Sequence, residues 1–152
     1  MIEKSTHIAN KISSEFKKWN GTFPQEIIQL PNSGSNRIYY RVKNNNQSFV
    51  AAFNNNKNEN TAFFDFTNQL LKARINVSDI LYSNISENIY FLTDLGNVTL
   101  LDWLHENKEV NHFSSVAIEI YKKVIRELVK MQIVAGRNFN YKNSYPHKTF
   151  DK

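Results

Sequence analysis

LPNSGSNRIYYRV, residues 30–42, sets a small polar turn between two strand-like runs, and what that turn holds decides how the chain is read. If the backbone amides of Ser33, Gly34, Ser35 and Asn36 point inward they form an anion cradle, and Arg37 at its exit adds a positive charge. An ordinary hairpin turn accounts for the same residues. On this segment alone the hairpin is the stronger reading, because Gly and Ser commonly punctuate turns and one glycine is a weak phosphate signature.

Working outward, three short apolar runs bounded by turn residues, EIIQL (26–30), RIYYRV (37–42) and SFVAAF (48–53), predict an antiparallel meander. The Asn triplets at 44–46 and 54–56 fall where turns are required. Upstream, Ile8, Ile12, Phe16 and Trp19 recur at helical spacing and stop at Asn20-Gly21, which predicts an amphipathic N-terminal helix. From Asn58 the helical period returns, with Ala62, Phe63, Phe66, Leu70 and Ala73 on one side and Glu59 heading the same stripe. A carboxylate there either stays in solvent, where the helix dipole favours it, or turns inward and needs a cation. Taken alone, the solvated reading is preferred.

Two further runs, DILYS (79–83) and NIYFLT (88–93), bring the strands to five, with one helix inserted after the third. The fold class is therefore α+β: an N-terminal helix, a five-stranded antiparallel sheet with one inserted helix, then a linker and helices. Asp94, Leu95, Gly96 and Asn97 form a turn, and Thr99 caps a short helix through Leu104 with Asp102 supporting the cap. Ser114 or Ser115 opens a longer helix through Val116, Ile120, Val124, Leu128 and Met131, closed by Gly136. Its apolar face needs a partner that the preceding lobe does not fully supply. The polar and aromatic segment 137–152 is expected to be irregular. By segment, 1–21 is the N-terminal helix, 22–97 the lobe and 98–152 the linker with the following helices.

The 152 residues, 41% hydrophobic and 13% aromatic, suffice for one sizeable core. Absence of cysteine excludes disulfides and thiolate metal sites. The apolar runs are too short to span a membrane, and charges occupy the start where a secretory signal needs an apolar stretch, so a cytoplasmic location is the default and no membrane partner is expected. A net charge of +5 favours anionic partners. The basic residues are scattered, however, and nucleic-acid binding, resting on charge and on Tyr39, Tyr40 and Tyr141, ranks a distant third among the functional readings.

The order of these parts is similar to the small lobe of the kinase fold. More closely, SGSNRIYYRV (33–42), ENTAFFDF (59–66), FLTDLGNVTLLDWL (91–104) and YPHKTFDK (145–152) resemble a bacterial branch of the aminoglycoside phosphotransferase and choline kinase family, one that includes kinases of N-acetylmuramate and N-acetylglucosamine acting at the anomeric position. The resemblance implies that Ser33, Gly34, Ser35, Asn36 and Arg37 form a loop covering the phosphates of ATP. It implies that Glu59 pairs with a basic residue orienting the α- and β-phosphates, and that Thr93, Asp94 and Leu95 form the hinge at the adenine edge. ATP and Mg²⁺ are the implied cofactors, and a small hydroxylated molecule is the implied acceptor in the full-length protein.

Two departures bear on this. The V-A-I-K pattern of kinase strand three falls on Val50-Ala51-Ala52-Phe53, with Phe in the lysine position, so Arg37 or Arg41 is left to supply the charge; an exposed edge position for Arg41 is an equal alternative. None of His7, His105, His112 and His147 has Asp two positions on, as the catalytic loop of the family requires, and Asp94, Asp102 and Asp151 have simpler roles in turns and caps. The expectation is thus a small lobe with the linker and first helix of a large lobe, binding nucleotide weakly, without turnover, and either meeting a missing lobe or self-associating through the last helix. A non-catalytic, pseudokinase-like interaction module is the alternative, supported by the absent lysine.

Overall fold

The helical spacing of Ile8, Ile12 and Phe16 is realised as α1 (Ile2–Asn20) in a computed structural model, which describes residues 2–31, 34–107 and 114–147. Gly21, at φ +86°, ends α1, and its amide donates to Lys17 O at 2.9 Å. This left-handed conformation is one that glycine adopts without strain. The expected strands follow as β1 (Glu26–Gln29), β2 (Ile38–Asn44), β3 (Gln47–Phe53), β4 (Ile80–Asn84) and β5 (Ile89–Thr93), with α2 (Lys57–Lys72) inserted after β3. The sheet is antiparallel throughout in the order β1-β2-β3-β5-β4, and the α+β class is as the sequence predicts.

Period-two alternation assigns the strand residues to two faces. Tyr40 and Val42, Phe49 and Ala51, and Ile89 and Phe91 pack against Ile8, Ile12 and Phe16 of α1. Ala52, Tyr90 and Leu92 face the other way, against Phe63 and Phe64 of α2. Because both faces are covered, β5 reads as a continuous apolar run rather than an alternating one. The Asn triplets do more than fill turns. Asn45 and Asn46 take φ values of 47° and 63° in the β2–β3 hairpin, which Asn tolerates. Buried Asn44 donates through Nδ2 to Asn20 Oδ1 and Thr22 Oγ1, and Asn56 Oδ1 accepts the Glu59 amide at the start of α2.

One buried carboxylate joins α1 to the sheet edge. Glu15 accepts from Tyr82 Oη at 2.9 Å, Asn84 Nδ2 at 2.8 Å and Lys18 Nζ at 2.5 Å. Residues 141–147 are irregular, as expected, and contact α2. Asn56 Nδ2 donates to Tyr145 Oη, Asn143 Nδ2 donates to Asp65 Oδ2, and the Tyr141 ring stacks edge-on to Phe66.

The chain divides into two compact units. One comprises Met1–Asn68, Ser78–Asp94 and Tyr141–Lys152, and the other Gln69–Val77 and Leu95–Asn140. Within the second, α3 (Leu100–Glu106) starts at Thr99 with a reciprocal cap: Thr99 Oγ1 accepts the Asp102 amide, and Asp102 Oδ2 accepts the Thr99 amide. The Thr99 bonds hold the Asp102 carboxyl below its ordinary pKa.

Helix α4 (Ser115–Val129) is capped by Ser114, whose Oγ accepts the Ala117 amide. Gly136 does not close it as expected. The helix widens to a π-helical stretch over Lys130–Ala135 and tightens to a 3₁₀ turn over Gly136–Asn138, with Gly136 itself right-handed. On α4, Ile118, Tyr121, Val124, Ile125 and Leu128 lie on one arc and are all exposed, while Glu119, Lys122, Lys123, Arg126 and Glu127 occupy the opposite arc. No described helix is long and apolar enough to cross a membrane.

Candidate functional site

Arg37 leaves the polar turn one position before β2 and turns under it. Its guanidinium is buried, with only 9% of the side chain exposed. Nη2 lies 3.0 Å from Glu59 Oε1 in the first turn of α2, and Cζ lies 5.0 Å from the centre of the Phe63 ring. Glu59 thus takes the inward of its two expected positions and finds a cation there, while keeping 27% of its side chain exposed. Burial alone would make the guanidinium easier to deprotonate; Tyr90, Tyr39 and Glu59 reverse that, and Arg37 stays charged.

Strand register explains why this charge comes from the start of β2 rather than from β3. Tyr39, Ala52 and Tyr90 stand in one row across β2, β3 and β5, on the face that α2 covers. The small Ala52 separates the two tyrosines. Phe53, in the position expected for lysine, belongs to the core on the α1 face, away from Glu59.

Arg41 is engaged elsewhere. Its Nε and Nη2 donate to the two carboxylate oxygens of Asp94 at 2.6 and 2.9 Å, and Ser48 Oγ donates to the same Asp94 at 2.5 Å. The hydrogen bond and charge of Asp94 raise the Arg41 pKa beyond its ordinary value. Both side chains are largely buried, so removing either would leave a charge without compensation.

Of the remaining residues singled out in the sequence, Gly34, Ser35 and Asn36 are exposed, with Ser35 Oγ accepting the Arg37 amide at 3.3 Å. Ser33 and Asp151 lie outside the described residues. The Thr93 amide donates to Asp79 O, and Thr93 O accepts from Ser78 Oγ. Leu95 is exposed, and the division between the two units falls between Asp94 and Leu95.

Sequence reasoning missed Tyr90, Phe63 and Ser48 as neighbours of the two arginines. The signal for Tyr90 is its hydroxyl, the lone polar group in the otherwise apolar run IYFL. Ser48 follows from register, since pairing Phe49 with Thr93 sets it opposite Asp94. Two grooves lie elsewhere: one of about 400 Å³ beside Gln69, Ala73 and Phe139, and one of about 210 Å³ beside Asn58, Thr61 and Lys142. Neither is lined by any of Gly34–Arg37, Arg41, Glu59 or Thr93–Leu95.

Among the described residues no group of three or more His, Asp or Glu side chains is placed to hold a metal ion. The chemistry of a buried guanidinium, a cation with only donors, suits a phosphate. No protein-family model matches this chain, and no curated protein matches it.

Proposed function

We propose that the sheet and α2 form the nucleotide-binding lobe of an ATP-dependent phosphotransferase whose acceptor is a small hydroxylated molecule, a sugar or an aminoglycoside- or choline-type alcohol. The Arg37–Glu59 pair carries this reading. A basic residue joined to a carboxylate in the first turn of the helix after strand three is the arrangement that orients the α- and β-phosphates in kinases. Arg37 takes the lysine's part, since Arg41 is held by Asp94. The exposed turn Gly34–Asn36 covers the phosphates, and Thr93, Asp94 and Leu95 line the adenine edge. A cytoplasmic location accompanies this reading, because ATP is the cosubstrate.

Calorimetric titration with Mg·ATP tests it. Saturable binding near millimolar is expected, with no turnover from this chain alone. Arg37→Ala should weaken binding at least tenfold, the loss expected when a charged hydrogen bond worth about 1.5–3 kcal/mol disappears. Arg41→Lys, which keeps the charge but not the bidentate geometry, should chiefly lower the unfolding temperature. Binding by Arg37→Ala equal to the wild type would overturn the assignment.

A second reading, a pseudokinase-like interaction module, is favoured by the apolar arc of α4. Self-association through that arc is expected on gel filtration at micromolar concentration, with Leu128→Glu restoring the monomer. A wild-type monomer under these conditions would count against an interaction role for α4.

A further inference from the structure

We infer that Tyr90 is a further ligand of the phosphate site, its hydroxyl joining Arg37 Nε and Nη2 in donating to a phosphoryl oxygen of the nucleotide. This rests on the nucleotide reading and adds to it a residue from the middle of the sheet.

Tyr90 is 1% exposed on β5, between Ile89 and Phe91. Its Oη lies beside the Arg37 guanidinium but makes no well-aligned hydrogen bond, and neither do Arg37 Nε and Nη2; all three atoms are buried. The Nη2 contact with Glu59 is therefore a charge contact rather than a well-aligned hydrogen bond. The atoms belong to one cluster, since the Phe63 ring lies 5.0 Å from Arg37 Cζ and 5.3 Å from the Tyr90 ring.

Buried polar atoms without partners reduce stability, and native proteins keep few of them. Phenylalanine would fill the Tyr90 position without that penalty, so the hydroxyl is explained by something it binds. The chemistry of the set identifies the class of ligand. Guanidinium nitrogens can only donate, and the phenol keeps its proton because burial raises its pKa, an effect that Arg37 offsets only in part. A set of donors beside a cation matches an oxyanion. The atoms are covered, so the ligand enters when part of that cover yields.

The test compares the wild-type chain with Tyr90→Phe by titration with Mg·ATP, inorganic tripolyphosphate and adenosine, together with thermal unfolding without ligand. We expect Tyr90→Phe to bind ATP and tripolyphosphate about tenfold more weakly. Adenosine binding should be unchanged, and the ligand-free midpoint unchanged or higher. A structural role predicts the opposite pattern, a lowered midpoint with all three ligands affected alike, and that result would overturn the inference. So would ATP and tripolyphosphate affinities within twofold of the wild type, the result expected if a buried water satisfies the hydroxyl. A wild-type chain that binds tripolyphosphate but neither ATP nor adenosine would sink the nucleotide reading and leave the oxyanion site standing if Tyr90→Phe weakens it. Binding of none of the three would overturn both.

Discussion

Phe16→Ala is expected to destabilise the protein by about 3–5 kcal/mol, the range for removing a large aromatic from a packed core. Phe16 is fully buried, and its ring meets those of Trp19 at 5.6 Å, Phe49 at 5.8 Å and Phe91 at 5.6 Å. It therefore connects α1 to β3 and β5, two of the three interior strands. The cavity left by truncation is bounded by a helix and a sheet whose other contacts keep them apart, so collapse around it is limited. Against a total stability of about 5–15 kcal/mol, this is a large fraction. In thermal unfolding the midpoint should fall by about 6–20 °C for a chain of this size. Phe23→Ala is the control. Phe23 is 56% exposed with Lys17 Nζ over its ring, and its loss should stay within about 0.5 kcal/mol. A Phe16→Ala effect as small as that of the control would mean that α1 does not share the core of the sheet.

The second large effect concerns Glu15. Burial by itself raises a carboxyl pKa, but the bonds from Lys18, Asn84 and Tyr82 more than offset it, and the Glu15 pKa lies below its ordinary value of 4.5. A folded-state pKa below the unfolded value means stability that is fully present above pH 4.5 and is lost as pH falls through the folded pKa. Glu15→Gln keeps the shape but turns an amide N–H₂ toward groups that donate. At neutral pH it should destabilise by about 2–3 kcal/mol, since the lost hydrogen bonds are to a charged acceptor. On acidification the gap between wild type and Glu15→Gln should close, because protonated Glu15 resembles the amide. Denaturant unfolding at pH 7 and at successive steps below pH 4.5 measures it. A gap that stays constant with pH would show that the Glu15 charge contributes nothing to joining α1 and β4. Tyr82→Phe, removing a single donor, should show a smaller effect of the same sign.

Local signals in the chain set the elements and their order. Helical spacing at Ile8, Ile12 and Phe16, short strands punctuated by Asn and Gly, and the cap at Thr99 are local signals, written by side-chain periodicity and backbone preference within a few residues. They sufficed for the α+β class, and they failed at Gly136, where a glycine sits in an ordinary right-handed conformation inside a π-to-3₁₀ transition. At the candidate site the sequence supplied the participants without their pairing. Arg37, Arg41, Glu59 and Asp94 were all visible, but two arginines and two carboxylates can combine in more than one way. Only the tertiary structure made the choice, giving Glu59 to Arg37 and Asp94 to Arg41. The reason is register. Arg37 lies at the mouth of the face that α2 covers, whereas Arg41 reaches across β3 to the end of β5, and a one-residue slip would exchange the faces. The same holds for Glu15, Tyr82 and Asn84, and for Arg37, Phe63 and Tyr90. They are distant in sequence and unremarkable alone, and only the packing of helix against sheet brings them into contact.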